Sequence, residues 1–253
     1  MAVRAAAVSG ARATLRVATY NVHKCKGFDR RTKPERIGAV LRELDADLLC
    51  LQEVVHAPAA GALHDQAQEL ARMLPEYGWM FGANRPLKGG AYGNMTFSKL
   101  PLLSWRNHDV SQLRREPRGV LQSDLDAGEG RVLHVFNVHL GTSIRERRHQ
   151  AKHLMSEAVV KHPELRGTRI VLGDFNDWTK GLTTKLLKSS FESFKPRHAM
   201  RFPGTFPGMM PLVTLDHCYY EAPLKLVDTK LWRTPQALVA SDHLPLVAEF
   251  EWG

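Results

Sequence analysis

Arg169-Ile170-Val171-Leu172-Gly173-Asp174-Phe175-Asn176 sets an apolar, β-branched run directly before a glycine, a carboxylate and an amide. The run reads as a strand, and the polar residues stand where it stops. The same arrangement recurs on both sides of it. Val17-Ala18-Thr19-Tyr20 ends at Asn21, and Leu48-Leu49-Cys50-Leu51-Gln52 ends at Glu53. Val135-Phe136-Asn137-Val138 ends at His139, Leu212-Val213-Thr214-Leu215 ends at Asp216, and Asp242-His243 precedes the last run. In sandwiches and α/β sheets strand ends share a rim, and a rigid scaffold collects functional groups there.

Strands are expected at 15–20, 48–52, 79–82, 95–98, 131–139, 169–172, 215–221 and 246–251, each rich in Val, Leu or aromatics and bounded by polar turn residues. Helical spacing lies between some of them. Residues 34–44 open on Pro34 and repeat Ile37, Val40, Leu41 and Leu44; 66–74 align Ala67, Leu70, Ala71 and Leu74. Residues 143–160 align Ala151, Leu154, Met155 and Ala158 opposite a basic face. Strands and helices alternate, so the class is mixed α/β. The Gly/Pro-containing stretch 83–94 reads as a loop, and no repeat is visible.

The bulk composition permits a sizeable core: of the 253 residues, 43% are hydrophobic and 24% charged. We therefore expect a flexible extension over 1–13, where the apolar stretch is too short for a secretion signal, and one domain over 14–253. No apolar run approaches the ~18 residues of a membrane span. The net charge of +9 favours anionic partners, whether nucleic acid, an anionic membrane surface or a phosphorylated small molecule. Cys25, Cys50 and Cys218 are the only cysteines and have neither zinc-finger nor disulfide-framework spacing, which suits a reducing compartment. The expectation is a cytoplasmic monomer, peripheral to the inner face of the membrane if it meets a membrane at all.

One carboxylate after a strand is usually a turn or cap residue. Six strand ends with complementary chemistry say more. Glu53 and Asn21 offer hard oxygens suited to Mg²⁺ or Mn²⁺. Asp174 can orient or deprotonate a water, and His139 and His243 can donate to a phosphate oxygen or leaving group. These are the tools of in-line attack on phosphorus. Other chemistries fit less well. There is no nucleophile elbow and no P-loop. Ser241-Asp242-His243 has triad residue types, but neighbours in an extended segment point apart. His149 and His153 share a helix face without a Glu-x-x-His context, so a solvated basic face is the better account.

Taken in order, Thr19-Tyr20-Asn21-Val22-His23, Leu51-Gln52-Glu53-Val54, Gly93-Asn94-Met95, Arg118-Gly119, Asn137-Val138-His139-Leu140, Gly173-Asp174-Phe175-Asn176, Leu215-Asp216 and Ser241-Asp242-His243 resemble the endonuclease/exonuclease/phosphatase superfamily. Each motif is weak alone; together they span 19–243 and are specific. The resemblance implies a four-layer α/β sandwich of two mostly antiparallel sheets flanked by helices, and a divalent-metal-dependent phosphoesterase. It implies Glu53 as main metal ligand with Asn21 beside it, and Asp242 near a second metal position or the leaving group. Asp174 would position water, Asn176 would hold the phosphate in its transition state, and His243 would pair with Asp216. His139 and Arg118 would contact the phosphate, with Asn94 and Asn137 in the same phosphate-binding group. Two departures stand out: His217 follows Asp216 where Tyr or an apolar residue is common, and Met95-Thr96-Phe97 replaces a small apolar run. Trp178, Gly204-Thr205-Phe206-Pro207 and Leu231-Trp232-Arg233-Thr234 look like a bacterial branch of unsettled substrate.

The favoured substrate is a phospholipid or small phosphodiester, because 198–212 carries Phe202, Phe206, Met209 and Met210, an apolar lip if exposed and a local mini-core if not. The alternative is a DNA or RNA nuclease using Arg114-Arg115, 145–149 and 195–201 as a backbone groove. A non-catalytic module would have lost a catalytic residue, and none is lost.

Overall fold

A computed structural model describes residues 14–59, 65–178, 181–194, 204–208, 210 and 212–253. The expected extension 1–13, the basic run 195–201, and Phe202 and Met209 lie outside the described residues.

Two six-stranded sheets pack face to face. In the first, the order is β11 (Leu224–Leu231), β12 (Leu246–Trp252), β1 (Thr14–Asn21), β2 (Leu48–His56), β4 (Gly90–Ser98), β3 (Gly78–Leu87). In the second it is β5 (Leu102–Asp109), β6 (Gly119–Asp126), β7 (Val132–His139), β8 (Thr168–Asp174), β10 (Asp216–Tyr220), β9 (Glu192–Ser193). Each sheet holds one parallel pair at its centre, β1 with β2 and β7 with β8, and antiparallel pairs elsewhere. A helix crosses between the strands of each parallel pair: α1 (Pro34–Leu44) in the first, α3 (Ile144–Leu154) in the second.

Helices complete the four layers. α1, α2 (Gln66–Met73) and α5 (Pro235–Ala240) cover the first sheet through Ile37, Val40, Leu41, Leu70 and Ala237. α3 and α4 (Leu182–Lys188) cover the second through Leu154 and Leu187. Two-residue alternation sorts each central strand between these layers. On β1, Ala18 and Tyr20 face the helices while Leu15 and Val17 face the other sheet. On β8, Val171 faces the helices while Ile170 and Leu172 face the first sheet.

That alternation also places the site. The inter-sheet face of β1 runs Leu15, Val17, Thr19, Asn21, and that of β2 runs Leu48, Cys50, Gln52. The face of β7 runs Leu133, Val135, Asn137, His139, and that of β8 runs Ile170, Leu172, Asp174. The layer between the sheets is therefore apolar at one end and polar at the other. All three cysteines are buried and free.

Some elements differ from expectation. The stretch 83–94 is a hairpin, not a loop: β3 and β4 meet at Leu87↔Gly90 across Lys88-Gly89, with Gly89 at φ 80°. Pro86 is accommodated because β3 is a sheet edge. The helix expected over 143–160 stops at Leu154; the Val160 N–H returns to the Leu154 carbonyl, and Ser156 Oγ takes up the His153 carbonyl. β5, β6, β9, β11, α4 and α5 were not legible, their sequences being polar, short or mixed. β10 forms with His217 inside it, so that departure does not break the strand. Among the described residues no helix is long and apolar enough to cross a membrane.

Candidate active site

Three donors converge on one carboxylate oxygen. Asp174 Oδ2 lies 3.0 Å from Asn21 Nδ2, 3.7 Å from His139 Nε2 and 3.9 Å from His243 Nε2. Asp174 Oδ1 accepts the Asn176 backbone N–H at 2.9 Å. Asn176 sits in the left-handed region, φ 50°, which asparagine tolerates. Gly173 before Asp174 has φ 146°, and a Cβ there would fall 1.9 Å from the Val138 carbonyl oxygen of the neighbouring strand. Only glycine lets β8 approach β7 closely enough to bring Asp174 opposite His139.

Glu53 reaches the site through a bulge. Register shifts between Leu51 and Val54, and Glu53 takes φ 63°. Simple alternation would give Glu53 the opposite face from Gln52; a bulge re-aims such a side chain. Its contacts are long: Asn21 Nδ2 at 3.4 Å, Lys24 Nζ at 3.6 Å and His139 Nε2 at 4.0 Å. Burial opposes ionisation of Glu53, but the field that His139 exerts when protonated, then those of Lys24 and His23, with the Asn21 amide, outweigh it and hold the carboxyl down at about 2.

The tautomers follow from the partners. Arg118 Nη1 can only donate, and it lies 3.2 Å from His139 Nδ1. His139 therefore carries its proton on Nε2, facing the two carboxylates. Burial, then the Arg118 charge, lower its pKa to about 3, so it is neutral. His243 is oriented the other way: Nδ1–H donates to Asp216 Oδ2 at 2.9 Å. Burial alone would lower His243, but Asp216, by charge and hydrogen bond, raises it well above the usual imidazole range. Burial and the nearby Asp216 push Asp174 upward, against the pull of His243. Asp216 is fixed by Thr205, whose Oγ1 accepts the Leu215 N–H at 3.0 Å and the Asp216 N–H at 3.3 Å.

Asp242 stands on the same rim, its Oδ1 3.3 Å from His23 Nδ1. Ser241 Oγ donates to the Asn21 carbonyl at 2.8 Å and ties this segment to β1. His23, Lys24 and Cys25 all have positive φ, 46°, 55° and 55°, and this turn is what carries Lys24 to Glu53. No glycine or asparagine marks it, so neither Lys24 nor Thr205 beneath Asp216 could be anticipated from residue identity.

Asn94 and Asn137, expected on the phosphate, are placed elsewhere. Both are fully buried. Asn137 Nδ2 bonds the Leu51 and Met95 carbonyls of the opposite sheet at 3.1 and 3.0 Å, and its Oδ1 accepts from Gln52 at 2.8 Å. Asn94 Nδ2 bonds the Gly119 and Asn137 carbonyls at 3.1 and 3.0 Å. These amides couple the two sheets beneath the site, since buried donors take the partners within reach. Asn21 presents nitrogen rather than oxygen inward, because its Oδ1 accepts the His23 N–H at 3.0 Å. Asn176 Nδ2 bonds the Leu140 carbonyl at 2.9 Å.

The donor set suits a hard divalent cation. Glu53 is a loosely held carboxylate at the rim and Asp242 is partly exposed, whereas the described residues contain no ready cluster of three His, Cys, Asp or Glu ligands. Mg²⁺ is commonly held by one or two carboxylates with retained waters.

A two-sheet α/β sandwich with a carboxylate, amide and imidazole site on its rim is the DNase I-like phosphoesterase fold. The match to the Endonuclease/Exonuclease/phosphatase family runs over residues 18–243, and the chain belongs to that family. It is 33% identical over 247 residues to the uncharacterized protein YbhP of Escherichia coli (strain K12), covering 93% of this chain and 96% of that one. Its fold is similar to the Bacteroides thetaiotaomicron mannosyl-6-phosphatase, with a TM-score of 0.77, 16% identity, and coverage of 94% and 100% of the two chains. It is also similar to the human Nocturnin catalytic domain with bound sulfate, with a TM-score of 0.72, 24% identity and 96% coverage of each chain.

Proposed function

We propose that this chain is a divalent-metal-dependent hydrolase of phosphoesters, cleaving the phosphodiester of a phospholipid or small molecule. The observation that carries the reading is the convergence of Asn21, His139 and His243 on Asp174. Glu53, with Asp242, would hold Mg²⁺ or Mn²⁺, which supplies charge neutralisation at the phosphate. Asp174, held by Asn21 and Asn176, orients the attacking water and accepts its proton. Neutral His139 donates Nε2–H to a phosphate oxygen, with Arg118 behind it supplying positive potential. His243, kept protonated by Asp216, donates its proton to the leaving oxygen as that oxygen's bond to phosphorus breaks. Asn176 contributes at the phosphate by the amide hydrogen that Leu140 leaves free.

The diester preference is supported by the wall beside His243. Phe206 lies 5.0 Å from the His243 ring, and Trp178 packs on Phe206 at 5.8 Å. A substituent beyond the phosphate would meet apolar surface there. The similar mannosyl-6-phosphatase acts on a monoester, so a monoester belongs in the test.

The test is hydrolysis of bis-p-nitrophenyl phosphate, p-nitrophenyl phosphate, DNA, RNA and phospholipid vesicles, each with Mg²⁺, Mn²⁺ or EDTA, and with Asp174→Asn as blank. Metal-dependent turnover of the diester and vesicles is expected. Cleavage of nucleic acid alone would replace the lipid reading with the nuclease one, and turnover of no ester would overturn the enzyme reading.

A further inference from the structure

Ten large apolar side chains are exposed among the described residues, and three of them, Leu103, Trp105 and Val227, lie on the edge strands β5 and β11. The other seven lie in segments that lead into or out of the strand ends carrying the site residues. The Phe28 N–H bonds the Val239 carbonyl at 3.3 Å, which sets these two side by side just before Asp242-His243. Next to His243, Trp178 packs on Phe206, and Met210 and Leu212 follow in the turn closed by the Phe206↔Val213 bridge. Leu113, 94% exposed, sits in the loop that ends at Arg118, and Ile144 opens α3 after the loop from His139.

Exposed cations bracket these tips. Lys26, Arg30 and Arg31 surround Phe28; Arg114 and Arg115 follow Leu113; Arg145 follows Ile144. The whole chain carries +9. A nucleic-acid backbone would satisfy the cations but leave Phe28, Leu113 and Ile144 in water. A bilayer interface satisfies both, because apolar tips enter the acyl boundary while Lys and Arg meet anionic headgroups. Indole rings such as Trp178 also favour that depth.

We propose that this rim docks on an anionic phospholipid surface, with Phe28, Leu113 and Ile144 entering the interface around the site. The proposal rests on the phosphoester reading of the site only for the purpose of docking; binding itself can be measured without turnover.

The experiment is co-sedimentation of the full chain with vesicles of phosphatidylcholine alone and of phosphatidylcholine mixed with phosphatidylglycerol, in EDTA and at two salt concentrations. The probe variant is Phe28→Ser/Leu113→Ser/Ile144→Ser, with thermal melting as the check on folding and bis-p-nitrophenyl phosphate turnover measured in parallel. Wild type should bind the anionic vesicles, more weakly at high salt. The triple variant should lose affinity by about tenfold or more and keep its turnover of the soluble diester. Absence of wild-type binding, or equal binding by the folded triple variant, overturns the docking proposal. Binding that depends on these residues in a protein that turns over no ester keeps the docking surface and removes the catalytic reading.

Discussion

His243 Nδ1 lies 2.9 Å from Asp216 Oδ2, while its Nε2 lies 3.9 Å from Asp174 Oδ2. One ring thus spans two buried carboxylates, hydrogen-bonded to one and merely facing the other. Asp216→Asn should keep the shape but remove the charge that orients and protonates His243. We expect kcat for the soluble diester to fall by about 10²–10⁴-fold with a nearly unchanged melting temperature. Equal kcat in a folded Asp216→Asn protein would remove His243 from the chemistry.

Asp174→Asn removes the negative charge and the base on which the three donors converge, at almost unchanged volume. Its kcat should drop by at least about 10²-fold. The comparison is single-turnover hydrolysis of the diester at saturating Mn²⁺, and an undiminished rate would mean that Asp174 neither positions nor deprotonates water.

Glu53→Gln tests the cation. Direct titration with Mn²⁺, by calorimetry or by the paramagnetic signal of free ion, should show affinity lower by about tenfold or more. A titration superimposable on wild type would mean that another group holds the metal.

Asn137→Ala separates framework from phosphate contact. The side chain bridges Leu51, Met95 and Gln52 across the sheets, so its loss should cost about 2–4 kcal/mol in denaturant unfolding. If stability is retained and KM alone rises, the residue binds substrate after all.

Asp124 gives a pH-dependent prediction away from the site. Burial opposes its ionisation, but hydrogen bonds from His134, Gln122 and Ser104 outweigh that and hold its carboxyl below the ordinary range. A carboxyl lowered on folding stabilises above its unfolded value of about 3.9, and the benefit is lost as pH falls through the folded value. Asp124→Asn should therefore melt below wild type at neutral pH, with the gap closing as pH drops below about 4. A gap independent of pH would contradict the assignment.

The amino-acid order alone determined the class of fold and most of the residues on the rim. Two-residue alternation is local, so Leu15, Val17, Thr19, Asn21 and Ile170, Leu172, Asp174 could each be read as one face ending in a polar group. Tertiary structure decided what those groups do. Glu53 turns into the site only because β2 bulges against β4, and Lys24 arrives on three left-handed residues that nothing in their identity announces. Asn94 and Asn137 belong to motifs that suggest phosphate, yet the distance between packed sheets lets their amides reach backbone carbonyls first. The proton on His139 and the charge on His243 likewise depend on which partner, Arg118 or Asp216, folding sets beside each ring, and hydrogen-bond partners drawn from distant strands are not encoded in any one of them.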